Sequence, residues 1–319
     1  MQAHVRFRGI AAGLLLAGTF ATQAPAQDYP TRPLRLVTGA PGGANDFITR
    51  VIAQGLSAGL GQPTVVENKP SGVMEGEAVV NAKADGYTLL STSANLWISG
   101  LMQKVPFDAL RDFRPVTLAT SAPYILVVHP QLPAKSVAEL IALAKARPGE
   151  LNYVSLAVGS SNHLAGELFK FLAGVNLTRV SYKGVPLAIS DLVTGQVHVL
   201  FSAVQTVIPH VKAGKLRALA VTTAEPSALV PGLPSVSATV KGYDTAARLG
   251  VFVPAGTPAP IVERLNRVIV EHLKSTDARE RLSNAAIEPV GTSPEELAAL
   301  MKLDIARWEK VLRAAGLSV

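Results

Sequence analysis

The stretch LRLVTGAPGGANDFITRVIAQGL, residues 34–56, decides the fold. It opens with an apolar run, Leu34–Thr38, that predicts a buried strand, and Ala40–Gly43 follows with the proline and paired glycines of a tight turn. The residues after the turn have apolar side chains at the spacing of one helix face, at Ile48, Val51, Ile52 and Leu56. The stretch therefore predicts a strand, a glycine turn and a helix in direct succession.

The alternation of strand and helix continues beyond this stretch. Gly59 and Gly61 end the first helix, and the sequence then predicts a strand at Val65-Val66, a helix over residues 76–84 and a strand over residues 87–91. This βαβαβ order is typical of a mainly parallel sheet with helices on its faces.

A second unit of the same kind begins at Tyr124–Val128, an apolar strand bounded by Pro123 and Pro130. Ser136 starts the next helix, with Glu139 three residues later as in a capping box. Further strands are predicted over residues 153–155, 179–182, 197–201 and 216–221, and further helices over residues 163–172, 189–194 and 207–213. A connection rich in Pro, Gly and Ser, residues 226–242, follows this unit.

The last part of the chain returns to the first unit. Gly250–Val253 predicts a strand, which we expect to pair with Ile125–Val128 as a second crossing between the units. Two helices follow, one from Pro258 past Leu273 and one from its N-cap Ser293, with Glu296 at the capping-box position, to a glycine stop at Gly316.

These patterns predict an α/β protein of two lobes, each a mainly parallel sheet flanked by helices, joined by two crossing strands that act as a hinge. The first lobe is discontinuous and holds residues 27–124 and 250–319, and the second lobe holds residues 125–249. Open α/β sheets bind ligands at the carboxyl ends of their strands, so the crevice between the lobes is the expected site.

The first 26 residues have the order of a secretory signal peptide. His4, Arg6 and Arg8 precede an apolar run over residues 10–20, and Ala24-Pro-Ala26 is the small-residue cleavage pattern. A membrane anchor is the alternative, but the run is shorter than the roughly 20 residues that a span needs. The sequence has no cysteine, which excludes disulfides, a Cys-based metal site and a lipid anchor at the cleavage site. We expect a protein that is free in the periplasm.

The remaining composition excludes several other kinds of site. The formal charge of +7 becomes +5 without the two arginines of the signal segment, and no block of Lys and Arg supports nucleic-acid binding. The six histidines have no metal-ligand spacing, and no Gly-Lys-Ser/Thr phosphate loop occurs. We therefore expect no metal, no cofactor and no nucleic-acid partner, and the polar helix faces favour a monomer.

Three loops that follow strands are rich in small hydrogen-bond donors and form the expected ligand site. The first opens a helix, so its main-chain N–H groups form an anion site without Lys or Arg; an ordinary tight turn is the alternative. Ser and Asn in the other two loops are also common helix N-caps without a ligand. The residues are Gly39, Pro41, Gly42, Gly43 and Asp46 in the first loop, Ser93 and Asn95 in the second, and Gly159, Ser160, Ser161 and Asn162 in the third.

A hydrolase is the catalytic alternative, with Ser160 or Ser161 as nucleophile, His163 as base and Glu167 or Asp191 orienting the base. The nucleophile-elbow pattern G-x-S-x-G is absent, because the stretch is VGSSN, residues 158–162. We therefore expect a binding protein and not an enzyme.

Eight motifs occur together in the order of a known family. They are Tyr29-Pro-Thr-Arg-Pro33, Ala40-Pro-Gly-Gly43 with Asp46, Val66-Glu-Asn-Lys-Pro70, Asp85-Gly-Tyr-Thr-Leu-Leu90, His163-Leu-Ala-Gly-Glu-Leu-Phe169, Tyr182-Lys-Gly184, His210-Val-Lys-Ala-Gly-Lys-Leu-Arg-Ala-Leu-Ala220 and Pro254-Ala-Gly-Thr-Pro-Ala-Pro260. Over nearly all of the mature chain the sequence resembles the tripartite tricarboxylate transporter receptors, also called Bug periplasmic binding proteins. The resemblance implies the type II (Venus flytrap) binding-protein fold and a small carboxylate held largely by main-chain groups and bridging waters. It also implies delivery to a membrane permease or, in some members, to a sensor kinase.

The sequence departs from the family pattern at the ligand loops. Gly39 stands where a Phe is usual, Ala44 where Ser or Thr is common, Ala157-Val158 where Gly-Asn is common, Ser202 where Asp is frequent, and Arg248 where Trp is common. Ser202 and Arg248 complete the expected ligand-binding set. Gly39 in place of Phe leaves more room in the crevice, and Ala157-Val158 makes one wall more apolar. Arg248 adds a cation that could bind a carboxylate bidentately. Together these changes suggest a bulkier or aromatic monocarboxylate. The alternative is drift at positions that only line a water-filled crevice.

Overall fold

The computed structural model describes residues 29–69, 72–156, 160–182 and 184–317 of the 319-residue chain. Its strands are β1 (Leu34–Thr38), β2 (Thr64–Asn68), β3 (Thr88–Ser93), β4 (Phe113–Val128), β5 (Asn152–Ser155), β6 (Thr178–Ser181), β7 (Val199–Ala203), β8 (Arg217–Val221), β9 (Ala246–Pro254) and β10 (Glu288–Pro289). They form one mixed sheet in the order β2-β1-β3-β9-β4-β7-β5-β6, and β8 and β10 pair with β4 off this path.

Helices flank this sheet and alternate with its strands. They are α1 (Ala44–Leu60), α2 (Gly72–Val80), α3 (Asn95–Ile98), α4 (Val137–Ala146), α5 (Ser161–Ala173), α6 (Val185–Val193), α7 (Val204–Lys212), α8 (Ala259–Leu273), α9 (Thr276–Asn284) and α10 (Pro294–Ala314), with short 3₁₀ turns at Ser99–Leu101 and Val236–Ala238. The predicted helices all occur, but α2 and α6 each begin four residues earlier than expected. α3 and α9 were not expected.

Serine N-caps set several of the helix starts. The predicted capping box of α10 is confirmed, because Ser293 Oγ accepts from Glu296 N over 3.1 Å and Glu296 Oε2 accepts from Ser293 N over 2.8 Å. Ser136 Oγ accepts from Glu139 N over 3.2 Å at the start of α4. Ser275 caps α9 in the same way, so the missed helix does carry a local start signal.

The first lobe is built on the parallel strands predicted from residues 34–91. β1 lies between β2 and β3 and pairs with both in parallel register. Gly42, with φ of +79°, turns the chain from β1 into α1. β9 is added beside β3 in antiparallel register, so the lobe is mixed rather than wholly parallel.

Strand β4 runs through both lobes, which the sequence did not predict. Its residues Phe113–Pro123 pair with β9, and Tyr124–Val128 pair with β7 and β8. The predicted pairing of Gly250–Val253 with Ile125–Val128 is therefore wrong, because Gly250–Val253 lies in β9 against the first half of β4. The sequence predicted that Pro123 bounds a strand, yet it lies within β4. The pairing of β4 with β9 shifts register earlier in the strand, between Pro115 and Thr117 and between Leu118 and Thr120.

The chain crosses between the lobes a second time at Thr245, just before β9. Thr245 is bonded to Thr222, which lies beside the middle of β4. Thr222 N donates to Tyr124 O over 3.0 Å, Tyr124 N donates to Thr222 Oγ1 over 2.9 Å, and Thr245 N donates to Thr222 O over 2.9 Å. The two crossings thus lie side by side, as a hinge requires. The boundaries 27–124, 125–249 and 250–319 stay a proposal, and we place the second boundary near residue 245 because β9 starts at Ala246.

Helix α10 bridges the two lobes. It contacts β4 and α3 in the first lobe and α5 in the second. Leu297 and Trp308 of α10 belong to the same hydrophobic core as Leu164 and Leu168 of α5. The two lobes are therefore joined by apolar packing as well as by the crossing segments.

The described part of the chain offers no support for a membrane span or a metal site. No helix in residues 29–317 that the structure describes is long and apolar enough to cross a membrane. The same residues contain no group of three or more His, Cys, Asp or Glu placed to hold a metal ion. The expected signal peptide, residues 1–26, lies outside the described residues.

We predict that Gly55→Ala destabilises the fold, because α1 packs on α8 through a close contact between Gly55 and His272. A Cβ on Gly55 would lie 2.3 Å from His272 Cγ and 2.5 Å from its Cβ. We expect a net loss of about 1–2 kcal/mol, since overpacking outweighs the gain in helix propensity of about 1 kcal/mol. Urea unfolding measures the loss. Gly100→Ala is the control, because its Cβ would have its nearest neighbour at 3.6 Å; equal midpoints for the two variants would contradict the prediction.

Candidate functional site

A cavity of about 340 Å³ lies between the two lobes, beside the crossing strands β4 and β9. Its walls come from the start of α1, the loop after β3, the first turn of α5, the start of β9 and one face of α10. The polar residues that line it are Asn45, Ser93, Asn95, Tyr124, Ser161, Gln205, Thr245, Arg248, Asp304 and Arg307. The rest of the wall is apolar and includes Ile48, Ile98, Leu164, Leu249, Ile287 and Trp308.

Asp46 organises the loop that opens α1. Its Oδ2 accepts from Gly42 N over 3.0 Å, its Oδ1 accepts from Asn68 Nδ2 over 2.8 Å, and Arg50 contacts both oxygens. Burial opposes ionisation, but the hydrogen bonds from Arg50, Asn68 and Gly42 outweigh it and lower the pKa of Asp46 to about 2. The carboxylate therefore faces its own loop and fixes the backbone beside the cavity.

The predicted main-chain anion site stands next to the cavity rather than in its wall. Ala44 and Asn45, the first two residues of α1, line the cavity. The N-cap is Gly43, which has no side chain to accept a hydrogen bond from the N–H groups of the first turn. None of the residues predicted in this first loop lines the cavity; they are Gly39, Pro41, Gly42, Gly43 and Asp46.

Glu75 fills the space beside Gly39. A Cβ on Gly39 would lie 2.9 Å from Glu75 Oε1, and Glu75 is 3% exposed, with Oε2 lacking a hydrogen-bond partner. Burial raises the pKa of the Glu75 carboxyl, which favours its neutral form. The expectation that a glycine at position 39 leaves extra room is therefore wrong, because the early start of α2 places Glu75 in that space.

The start of α5 forms the second-lobe wall. Ser161 lines the cavity together with Tyr124, whose pKa is raised by burial. Ser160, Asn162 and Ser202 line an adjoining cavity of about 190 Å³, which shares Tyr124 and Ser161 with the larger one. Ser160 Oγ donates to Asn162 Oδ1 over 2.6 Å. The third predicted loop and Ser202 thus meet around Tyr124.

The hydrolase alternative depends on His163 as the base for Ser160 or Ser161, which line the two cavities. His163 lines neither of these two cavities and is 1% exposed. Burial, followed by the positive charge of Arg179, lowers the pKa of His163 to about 4, which makes it a weak base at neutral pH. Gly159 and the adjoining Ala157-Val158 lie outside the described residues.

Two ion pairs occupy the α10 side of the cavity. Arg248 lines the wall as expected, but its Nη2 donates to Asp244 Oδ2 over 2.6 Å. Arg307 Nη2 donates to Asp304 Oδ1 over 2.5 Å, and Asp304 Oδ2 accepts from Trp97 Nε1 over 3.3 Å. Each guanidinium thus has a carboxylate partner. A solute carboxylate would meet Arg248 with one of its donors already engaged.

Burial also affects the ionisation of Asp304 and the hydrogen bonding of Arg307. Asp304 is 3% exposed, and burial raises its pKa although Arg307 and Arg248 act in the opposite direction. Arg307 Nε is buried and makes no hydrogen bond. Within the described residues, the α10 side therefore contains one buried donor without an acceptor.

Sequence patterns did not reveal the contribution of α10. Asp304, Arg307 and Trp308 lie at i, i+3 and i+4, which places them on one face of the helix. The same spacing is typical of an exposed face with ion pairs, so it gives no separate signal for a cavity. Tyr124 was missed for a different reason, since its role depends on the change of strand partners at that residue.

The chain matches one family model and several known proteins over most of its length. The model described as the tripartite tricarboxylate transporter family receptor matches residues 48–317. The protein BugT of Bordetella pertussis is 36% identical over 300 residues, which is 91% of each chain. The structure of R. palustris Rpa4515 with adipate is 38% identical, with a TM-score of 0.73 and coverage of 91% of this chain and 99% of that one. MatC from Rhodopseudomonas palustris with bound malate is 29% identical, with a TM-score of 0.67 and coverage of 89% and 100%. The predicted resemblance and the fold class are confirmed.

We predict that Asp46→Ala lowers the free energy of unfolding by about 1–3 kcal/mol, because Gly42 and Asn68 lose a charged acceptor. The pKa of Asp46 is about 2 in the fold and about 3.9 in the unfolded chain. Its stabilisation is therefore complete above about pH 5 and is lost as the pH falls through both values.

Urea unfolding at pH 7 and pH 3 tests this, and the gap between parent and variant should shrink by about half at pH 3. Asp277→Ala, which removes an exposed pair with Arg281, is the control and should change little. A gap that stays constant or widens on acidification would reject the role of ionised Asp46.

Proposed function

We propose that this chain, which belongs to the tripartite tricarboxylate transporter family of receptors, captures a small carboxylate-bearing solute in the cavity between its lobes. The family is periplasmic, and its members bind small carboxylates and work with membrane transporters. We further propose that residues 1–26 direct the chain to the periplasm and are removed. The receptor then delivers its solute to a membrane permease, and it binds without turnover.

The observation that carries this proposal is that uncharged donors from both lobes line one cavity. Asn45, Ser93 and Asn95 come from the first lobe, and Ser161 and Tyr124 come from the second lobe and the crossing strand. Amide, hydroxyl and helix N-terminal donors can hold a carboxylate without a protein cation. Because they belong to both lobes, a solute that bridges them favours the closed arrangement.

The charges of the wall favour an anion held by hydrogen bonds rather than by a free cation. Arg248 and Arg307 are each paired with a carboxylate, and we propose that they orient the solute instead of neutralising it. Ile48, Ile98 and Trp308 provide apolar surface for a carbon skeleton. The adipate in the R. palustris relative, a carbon chain with terminal carboxylates, supports an acid with an apolar body.

We predict that acids, and not their neutral amides, stabilise the mature protein. A thermal-shift screen pairs aliphatic, amino-acid and aromatic acids with the amide of each. A ligand that binds only the folded state adds about 2.7 kcal/mol at a hundredfold excess over its Kd, so a binding acid raises the melting temperature clearly. Equal shifts for acid and amide would reject carboxylate recognition, and no shift with any acid would reject this solute class.

We predict that Ser93→Ala weakens binding of the best acid by about tenfold to a hundredfold, since one hydrogen bond to a charged group, about 1.5–3 kcal/mol, is lost. Ser283→Ala is the matched control, because Ser283 is exposed on α9 and does not line the cavity. Isothermal titration calorimetry measures both affinities. An unchanged Kd in Ser93→Ala would remove this residue from the site.

A further inference from the structure

Two arginines line the α10 side of the ligand cavity, and each is bound to a carboxylate through one nitrogen only. Arg307 donates from Nη2 to Asp304 Oδ1 over 2.5 Å, and Arg248 donates from Nη2 to Asp244 Oδ2 over 2.6 Å. Within the part of the chain that the structure describes, neither guanidinium makes another hydrogen bond. The protein therefore leaves the other nitrogens of both groups without an acceptor.

Three of these nitrogens can be reached by a solute. Arg307 Nε is buried, whereas Nη1 of Arg307 and Nη1 and Nε of Arg248 are not among the buried unsatisfied atoms of the described residues. Because these three also lack an acceptor, each of them keeps accessible surface. The side chains of Arg248 and Arg307 are 11% and 22% exposed, and both line the cavity. The cavity is where these donors meet a solute.

The charges around these donors are already balanced. Asp244 and Asp304 oppose Arg248 and Arg307. Burial raises the pKa of Asp304, but Arg307, which donates to it directly, and Arg248 favour its ionised form. The described residues that line the cavity include no charged side chain besides Arg248, Asp304 and Arg307. The four groups together carry no net charge.

A solute carboxylate at these donors would be a third anion beside two cations. Asp304 is 3% exposed, so solvent screens its repulsion little and the added charge is costly. A neutral oxygen has no such cost, and it still accepts hydrogen bonds from a charged donor. The α10 side therefore favours an uncharged acceptor over a second carboxylate.

We propose that the solute is a monocarboxylate that carries an uncharged acceptor oxygen, such as a ketone, away from its carboxylate. Arg248 and Arg307 donate to this oxygen. The uncharged donors of Asn45, Ser93 and Ser161 hold the carboxylate. This inference rests on the proposed function and narrows its solute class. It also separates this chain from the R. palustris relative, whose adipate has a carboxylate at each end.

Asp304 is the residue that sets this preference. Its Oδ1 accepts from Arg307 and its Oδ2 accepts from Trp97 Nε1 over 3.3 Å, so its carboxylate is fixed in the cavity wall. An asparagine has the same shape and retains an acceptor oxygen, but it has no charge. Asp304→Asn therefore leaves one uncompensated cation in the wall, which a second solute carboxylate can pair with.

The test measures the affinity of the mature protein for three acids by isothermal titration calorimetry at neutral pH. The acids are 6-oxoheptanoate, 6-methylheptanoate and adipate. They share one carboxylate and the same carbon chain, and they end in a ketone, an isopropyl group and a second carboxylate of similar shape. We expect 6-oxoheptanoate to bind at least about fivefold more tightly than either of the others.

Two variants separate the charge from the donors. Asp304→Asn should reverse the order of adipate and 6-oxoheptanoate, whereas Asp277→Asn, at an exposed ion pair of α9, should keep it. Arg307→Lys retains a cation beside Asp304 but lacks the planar pair of donors, so it should remove the advantage of 6-oxoheptanoate over 6-methylheptanoate. Arg313→Lys, exposed on the same helix, should leave that advantage unchanged.

Tighter binding of adipate than of 6-oxoheptanoate by the parent, or the same order of the two in Asp304→Asn, would overturn the inference and leave carboxylate capture intact. Equal affinities of the parent for 6-oxoheptanoate and 6-methylheptanoate would overturn the role of the arginine donors. Binding of none of the three acids would also overturn the inference, whereas the proposed function fails only when the wider screen of acids gives no thermal shift.

Discussion

One strand, β4, has to satisfy backbone hydrogen bonds in both lobes of the sheet at once. Its 16 residues bond to β9 along the first part and to β7 and β8 along the second. The change of partners occurs at Tyr124, where Thr222 also bonds to the strand. The loops at the ends of the neighbouring strands open towards this point, so the position of the ligand cavity follows from the path of β4. Tyr124 accordingly lines both adjoining cavities.

The cavity is built so that its own charges are already compensated. Arg248 is paired with Asp244 and Arg307 with Asp304, and Asp46, which does not line the cavity, is held by Arg50 and its own loop. Buried charges without partners are costly, so these pairs keep the empty cavity stable. The consequence is that an incoming carboxylate must be recognised by uncharged donors and by geometry, because no free cation in the described wall draws every anion alike.

The sequence predicted local structure well and long-range contacts poorly. The pattern of residues 34–56 predicted the strand, the turn and the helix, and the spacing of Ser293 and Glu296 predicted the capping box of α10. The pairing of β9 failed because periodicity identifies a strand without identifying its neighbour, and Pro123 was taken as a boundary. Glu75 was missed because the bounds of α2 were set too late in the chain. Among the expected site residues, the structure brings Ser93, Asn95, Ser161 and Arg248 to the cavity. Gly39, Gly42 and Gly43 of the first loop do not line it.

The packing of α10 limits how far the lobes can separate. Trp308 and Val311 are buried in one core with Leu164 and Leu168 of α5, while Leu297 of the same helix packs into that core from the first lobe. Full burial of one such side chain stabilises by roughly 1.5–3 kcal/mol, so peeling α10 away from α5 would cost several kcal/mol. The binding free energy that a small solute gains from a few hydrogen bonds does not offset this cost. Opening must therefore leave the α5–α10 contact in place and be taken up where the two crossings meet.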